Sequence, residues 1–253
     1  MAEISLTRRE LVAAAISGVG CAVTTQSAGI SFPLNSASNK SEIGVIGSLD
    51  SLQPPRIEYE FTEFMPLFSA RAVERHLCFH HARYFREMNR ESERLRGLGS
   101  QVPVKSIPDA RILHWYQAEH LNHCRLWSSL IPADKSSAQR RRIPLADLVM
   151  DRYGGFSRFA AALGEATQKC PHGGWLWCCI DGNGSLCCYW TRPGSSMTVF
   201  PAPDFVIDLH EHSFIADHGN DRVRYGTAAA ALLNWEAMSH GSRLKEQFQR
   251  ASF

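Results

Sequence analysis

The sequence predicts an α+β protein: an N-terminal α-helical hairpin domain, then a C-terminal domain of helices packed on a small three-stranded antiparallel sheet. Three observations predict it. Two long stretches of helical composition, Ser69 to Arg96 and about Asp109 to Leu130, follow one another in the first half. Two apolar and aromatic runs, Trp175 to Ile180 and Leu186 to Trp190, flank the turn signal Asp181-Gly182-Asn183-Gly184. A third short strand, Asp204 to Asp208, follows a Pro-containing loop.

In chain order, residues 1–28 come first. Arg8-Arg9 precedes a weakly apolar run of small residues, the layout of an export signal, and the Arg pair resembles the twin-arginine type. A frayed N-terminal helix is the other reading of the same residues. The run is shorter than the roughly 20 apolar residues that span a membrane, so no stable membrane association is expected once a signal is removed. Gly18 stands where a bulky apolar residue would precede a lipid-bearing cysteine, which speaks against lipid attachment at Cys21. Residues 29–55 are rich in Ser, Asn, Gly and Pro without a period and read as a linker. An N-terminal hairpin domain over 56–142 and a C-terminal domain over 143–253 follow.

Within the hairpin domain, Ser69 to Arg96 contains no Pro or Gly, and the second stretch stops at Ile131-Pro132 because Pro cannot continue a helix. Ser136 to Arg142, with three consecutive Arg, reads as a solvated crossing between domains. After Pro144, Leu145 to Tyr153 and Phe156 to Thr167 read as helices separated by Gly154-Gly155, and Thr227 to Arg250 as a closing helical region. The 27 basic and 25 acidic residues nearly cancel, and the tribasic run lacks aromatic partners, so a dedicated nucleic-acid surface is not expected.

The 11 His and 8 Cys direct attention to metal chemistry. Three patches supply ligand types. In His76-Leu77-Cys78-Phe79-His80-His81-Ala82-Arg83-Tyr84, the i, i+4 spacing places His76 and His80 on one helix face. Asn122-His123 lies in the second long helix. Asp208-Leu209-His210-Glu211-His212 lies where a strand turns into a helix. Imidazoles with one carboxylate suit Fe, Mn or Zn, whereas Ca takes oxygen ligands and Cu(I) takes thiolates.

The H-x3-HH-x2-Y run, Asn122-His123, Gly173 to Trp177, Asp208 to His212, Asn220-Asp221-Arg222 and Leu233 to Glu236 together resemble the iron/manganese superoxide dismutase family, in matching order, over about Arg56 to Glu236. The resemblance implies that His76, His123, Asp208 and His212 bind one redox ion per subunit, iron or alternatively manganese. It implies superoxide as the substrate. His80 and Tyr84 match the pair that gates the substrate funnel and relays protons. Trp175 and Trp177 match the aromatic wall, and Glu211 the residue that reaches His212 of a partner subunit in a homodimer. The signal then implies a periplasmic or exported location, with the cytoplasm as alternative.

Four positions depart from the family pattern. Glu119 stands where iron-type enzymes carry a Gln that bonds to the metal's solvent, one helical turn before His123. The manganese type has Gly at that position and an amide near the position of Gly194, where this chain has none; a polar side chain from the helix favours the iron-type arrangement. His210 replaces a Trp against the metal, Arg125 an aromatic, and Ile215 a Tyr that bonds across the dimer to the gating His. These losses leave two functions open: an active dismutase, or a dismutase-like metal-binding protein of weak or no dismutase activity, acting as a structural or binding module. Cys178-Cys179 and Cys187-Cys188 are expected to pair as Cys178 opposite Cys188 and Cys179 opposite Cys187. They read as small apolar residues packed in the sheet rather than as disulfides. Cys78 and Cys124 read as packing residues beside the ligands.

Overall fold

The computed structural model describes residues 57–97, 107–196 and 203–239. The proposed export signal, the linker and the end of the closing helical region lie outside these residues. A 3₁₀ turn at Phe61–Phe64 leads into the first long helix, which comprises α1 (Ala70–Glu74), a π-helical segment (Arg75–His81) and α2 (Ala82–Arg96). Ser69 begins it: its Oγ accepts the Ala72 N–H at 3.2 Å, and its own N–H donates to Asp217 at 2.8 Å. The π winding holds three histidines in one wide turn, and π segments of this kind concentrate at functional sites. The simple i, i+4 face read from the sequence is therefore modified at this point.

Helix α3 (Ile107–Ser128) packs along α2, giving the expected hairpin. Helix α4 (Ala133–Arg140) corrects the reading of Ser136 to Arg142 as a solvated crossing. Ser136 Oγ donates to the Leu233 carbonyl at 2.8 Å, Gln139 Oε1 accepts the Glu236 N–H at 3.3 Å, and the Arg140 guanidinium lies over the Phe156 ring. Polar residues dock this helix, so it lacks the apolar period by which a buried helix is recognised. Pro144 then opens α5 (Pro144–Tyr153), which closes on Gly154 in the left-handed region, and α6 (Phe156–Lys169) follows.

Strands β1 (Trp175–Ile180), β2 (Leu186–Thr191) and β3 (Phe205–Asp208) form one antiparallel sheet in the order β2-β1-β3. The register opposes Cys178 to Cys188 and Cys179 to Cys187 as the turn predicts, and sets Trp175 opposite Asp208. Helix α7 (Glu211–His218) leaves β3 directly. Helix α8 (Arg222–Ala231) begins five residues before the expected closing segment, because the Asp221 side chain caps it through the Arg224 N–H at 2.8 Å. It ends where Leu233 pairs with Leu130, so a chain the sequence reads as continuous helix is broken by a contact to α3's end. Among the described residues, no helix is long and apolar enough to cross a membrane.

The C-terminal core is built by Phe159, Leu163, Leu176, Ile207, Leu209 and Trp235, all at most 1% exposed. Each such side chain contributes roughly 1.5–3 kcal/mol by leaving water. Helices α6 and α8 meet closely because Gly226 faces Thr167: a Cβ there would lie 2.3 Å from Thr167 Oγ1. A second core of Phe64, Val73, Leu77, Trp127, Trp177 and Leu232 joins the hairpin to the sheet. The candidate ligands lie along that join.

Candidate metal centre

Four elements deliver one candidate ligand each. The π segment carries His76, α3 carries His123, the last residue of β3 is Asp208, and the first turn of α7 holds His212. One donor atom from each lies within 4.8 Å of all the others. Asp208 Oδ2 is the common neighbour. It stands 3.1 Å from His76 Nε2, 3.1 Å from His212 Nε2 and 3.8 Å from His123 Nε2. His76, His123 and Asp208 are buried, while the His212 side chain keeps 32% exposure and faces the way in.

The protonation states are prepared for ligation. His123 Nδ1 donates to the Glu119 carbonyl at 2.6 Å, which leaves Nε2 with its lone pair. That Nε2 is buried and makes no hydrogen bond, and neither does His76 Nε2, although it lies near Asp208 in distance. Burial lowers the basicity of both imidazoles and keeps them neutral. For Asp208, burial favours the acid, but hydrogen bonds from His210 and His212, with the His76 imidazole close by, outweigh it and hold the carboxyl well below its ordinary range. Three imidazoles and one carboxylate converging within 4.8 Å, with the His76 and His123 nitrogens buried and unbonded, fit a single divalent or trivalent redox cation.

The surroundings orient these ligands. His210 Nε2 accepts the Gly174 N–H at 3.2 Å, so its proton sits on Nδ1, which donates to Asp208 Oδ1 at 2.6 Å. The His210 N–H donates to the same oxygen at 2.9 Å. The Tyr225 hydroxyl donates to the Asp208 carbonyl at 2.8 Å. The Trp175 indole packs edge-on against His123, with centroids 4.8 Å apart. Trp177 lies further off in the second core, its indole N–H donating to Thr191 at 2.9 Å.

His80 and Tyr84 stand together beside the ligands. Their ring centroids are 4.9 Å apart, and His80 lies 3.8 Å from the His212 ring. Burial, helped by His212 and His76, lowers His80 to about 3, so its imidazole is neutral. Burial, with Glu119 and Asp208, raises the Tyr84 phenol well above its ordinary value. Glu119 is fully buried; its Oε1 accepts N–H groups from Trp175 at 3.3 Å and Gly194 at 2.5 Å, and Oε2 has no partner. Burial raises the Glu119 pKa. Gly194 reaches it with φ +71°, under Trp115, where a Cβ would lie 1.8 Å from Trp115 Cδ1.

Residues 141–241 match the family model for the C-terminal domain of iron/manganese superoxide dismutases. The chain is 23% identical over 184 residues to the mitochondrial manganese superoxide dismutase of Aspergillus fumigatus, covering 72% of this chain and 87% of that one. It is 26% identical over 189 residues to the iron superoxide dismutase of Salmonella typhimurium, and 25% identical over the same length to that of Escherichia coli. Each of these two alignments covers 74% of this chain and 95% of the relative. Over most of its described length the chain is thus similar to iron and manganese superoxide dismutases, and its residues 141–241 match their C-terminal domain.

Two of the four departures read differently in space than in sequence. His210, in place of a Trp, makes a polar contact to the Asp208 carboxylate. Arg125, in place of an aromatic, is partly buried and its guanidinium donates to the Pro203 carbonyl. Ile215 is 45% exposed and Glu211 is also exposed. Sequence reasoning missed His120 altogether and read Cys124 as packing; both meet His81 across the hairpin. An i, i+4 His–Cys pair opposite the HH dipeptide was the signal that could have revealed them.

Proposed function

We propose that the chain is a superoxide dismutase that converts two superoxide ions and two protons to oxygen and hydrogen peroxide at one metal held by His76, His123, Asp208 and His212. The observation that carries this reading is the convergence of three imidazoles on Asp208 Oδ2, with two of their nitrogens buried and unbonded. A redox metal bound there supplies one-electron exchange and a net positive charge for the anion. The protein supplies the rest. His212 and His80 line the approach and, being uncharged in the case of His80, do not trap the product. The Tyr84 phenol keeps its proton at neutral pH and can hand it inward beside His80.

Iron is the metal this reading favours over manganese, because position 119 carries a polar side chain from the helix rather than Gly. A homodimer through Glu211 and His212 belongs to the same proposal, as does export to the periplasm by the Arg8-Arg9 signal. Purified mature protein, analysed for metal and assayed for superoxide consumption, tests the activity. Iron at one ion per chain with dismutation is the expected result. Full iron or manganese occupancy without superoxide consumption overturns it and leaves a metal-binding module, the reading that His210, Arg125 and Ile215 would then explain. Replacing Arg8 and Arg9 by Lys is expected to keep the protein inside the cell; unchanged export refutes that part.

A further inference from the structure

We propose a second metal site, for one Cu(I) ion, formed by His81, His120 and Cys124. His120 and Cys124 lie one turn apart on α3, and His81 faces them from the end of the π segment. His81 Nε2 is 2.9 Å from His120 Nδ1, and Cys124 Sγ is 3.8 Å and 3.9 Å from those two nitrogens. All three donors lie within 4.8 Å of one another, and both imidazoles are fully buried. The point equidistant from the three atoms lies about 2.1 Å from each, against typical bonds of about 2.0–2.1 Å to imidazole and about 2.3 Å to thiolate. The triangle is already of metal size.

The donor set selects the ion. Two imidazoles and a thiolate suit thiophilic ions, Cu(I) and Zn²⁺ foremost. Among the described residues no fourth His, Cys, Asp or Glu donor joins the three. A structural zinc site closes with four ligands, whereas Cu(I) is satisfied by three. Charge decides the same way. Zn²⁺ with one thiolate would leave a net positive charge among Phe85 and the stacked rings of His81 and His123, where burying an unpaired charge is costly. Cu(I) with one thiolate is neutral. Binding forms the Cu–S bond as the thiol proton leaves to solvent, with no change of oxidation state.

This site shares no donor with the four-ligand centre, on whose His123 the His81 ring stacks, and it does not depend on dismutase activity. The full-length protein, reduced and with its four-ligand centre occupied, is titrated with Cu(I) against a competing chelator. Cys188→Ser serves as control, because Cys178 and Cys188, with sulfurs 3.3 Å apart, offer the other thiol pair. The expected result is one Cu(I) per chain bound by wild type and by Cys188→Ser, and lost in Cys124→Ser and in His120→Asn. X-ray absorption of the copper form should show one sulfur and two nitrogen neighbours, which tests the unaltered protein should a variant fail to fold. Equal copper uptake by wild type and Cys124→Ser, two sulfurs at the copper, or tighter binding of Zn²⁺ than of Cu(I) overturns the proposal.

Discussion

Glu119 is the position where the physical reading can be tested most sharply. Its side chain is fully buried and its Oε1 is the shared acceptor for the Trp175 indole and the Gly194 backbone N–H. Glu119→Gln keeps a carbonyl oxygen for both donors and places its NH₂ where Oε2 already lacks a partner, so the number of unpartnered buried atoms is unchanged. Glu119→Ala leaves the buried Trp175 N–H without an acceptor, at about 1–3 kcal/mol before any cavity cost, and frees the partly buried Gly194 N–H, which water can reach. Against a typical stability of about 5–15 kcal/mol, that loss is easily measured. The assay is urea unfolding of the metal-free protein at neutral pH, which keeps metal linkage out of the comparison. The Gln variant is expected within about 1 kcal/mol of wild type. An Ala variant as stable as the Gln variant would refute the claim that Glu119 Oε1 holds the Gly194 loop and Trp175 in place.

Gly194→Ala should lower the melting temperature and weaken metal retention, because its Cβ meets the Trp115 ring and its φ of +71° disfavours any side chain; thermal unfolding with metal analysis checks both. Tyr225→Phe removes the donor to the buried Asp208 carbonyl and is expected to cost about 1–3 kcal/mol, read by urea unfolding; an unchanged midpoint would show that this bond does not hold Asp208. His218 gives a pH prediction. Burial lowers its folded pKa from the ordinary 6.5, so its contribution to stability is complete above pH 6.5 and is lost as pH falls toward the folded value. His218→Gln should therefore show a shallower fall of unfolding midpoint between pH 6.5 and 5 than wild type, and identical slopes would remove His218 as a cause of acid lability.

The H-x3-HH-x2-Y and D-x-x-EH runs are legible as sequence motifs, but spacing alone does not pick His76 over His80 or find His123; the choice of His76, His123, Asp208 and His212 rests on the family resemblance, and these are the four that converge. The strands were legible to within a residue, since a buried apolar run flanking Asp-Gly-Asn-Gly has few alternatives. Helix α4 was not. Its buried residues are Ser136 and Gln139, held by hydrogen bonds to Leu233 and Glu236, and a helix docked by polar groups leaves no hydrophobic period to read. The start of α8 was missed for a related reason: a single Asp221 cap decides it, and the motif reading had assigned Asn220-Asp221-Arg222 to the family pattern without asking what it caps. The His81–His120–Cys124 group escaped because it joins two helices whose rotation about their axes only the π segment fixes.

The same limitation made the position beside Asp208 look like erosion. A Trp replaced by His reads, in sequence, as lost apolar wall. In space His210 contributes two donors to Asp208 Oδ1, one from its backbone and one from its ring, and its far nitrogen is anchored by the Gly174 N–H. That leaves Oδ2 alone to face His76, His123 and His212. The carboxylate is thus fixed by its oxygens having separate duties, one bound by the protein and one presented to the cation. Its rotation is set in turn by the register that places Asp208 opposite Trp175, and Trp175 is tied to Glu119 on α3. Two of the substituted positions, 119 and 210, therefore lie on one hydrogen-bonded path from α3 through the sheet to the ligand carboxylate. A change at either should be felt as altered metal affinity more than as a loosened wall.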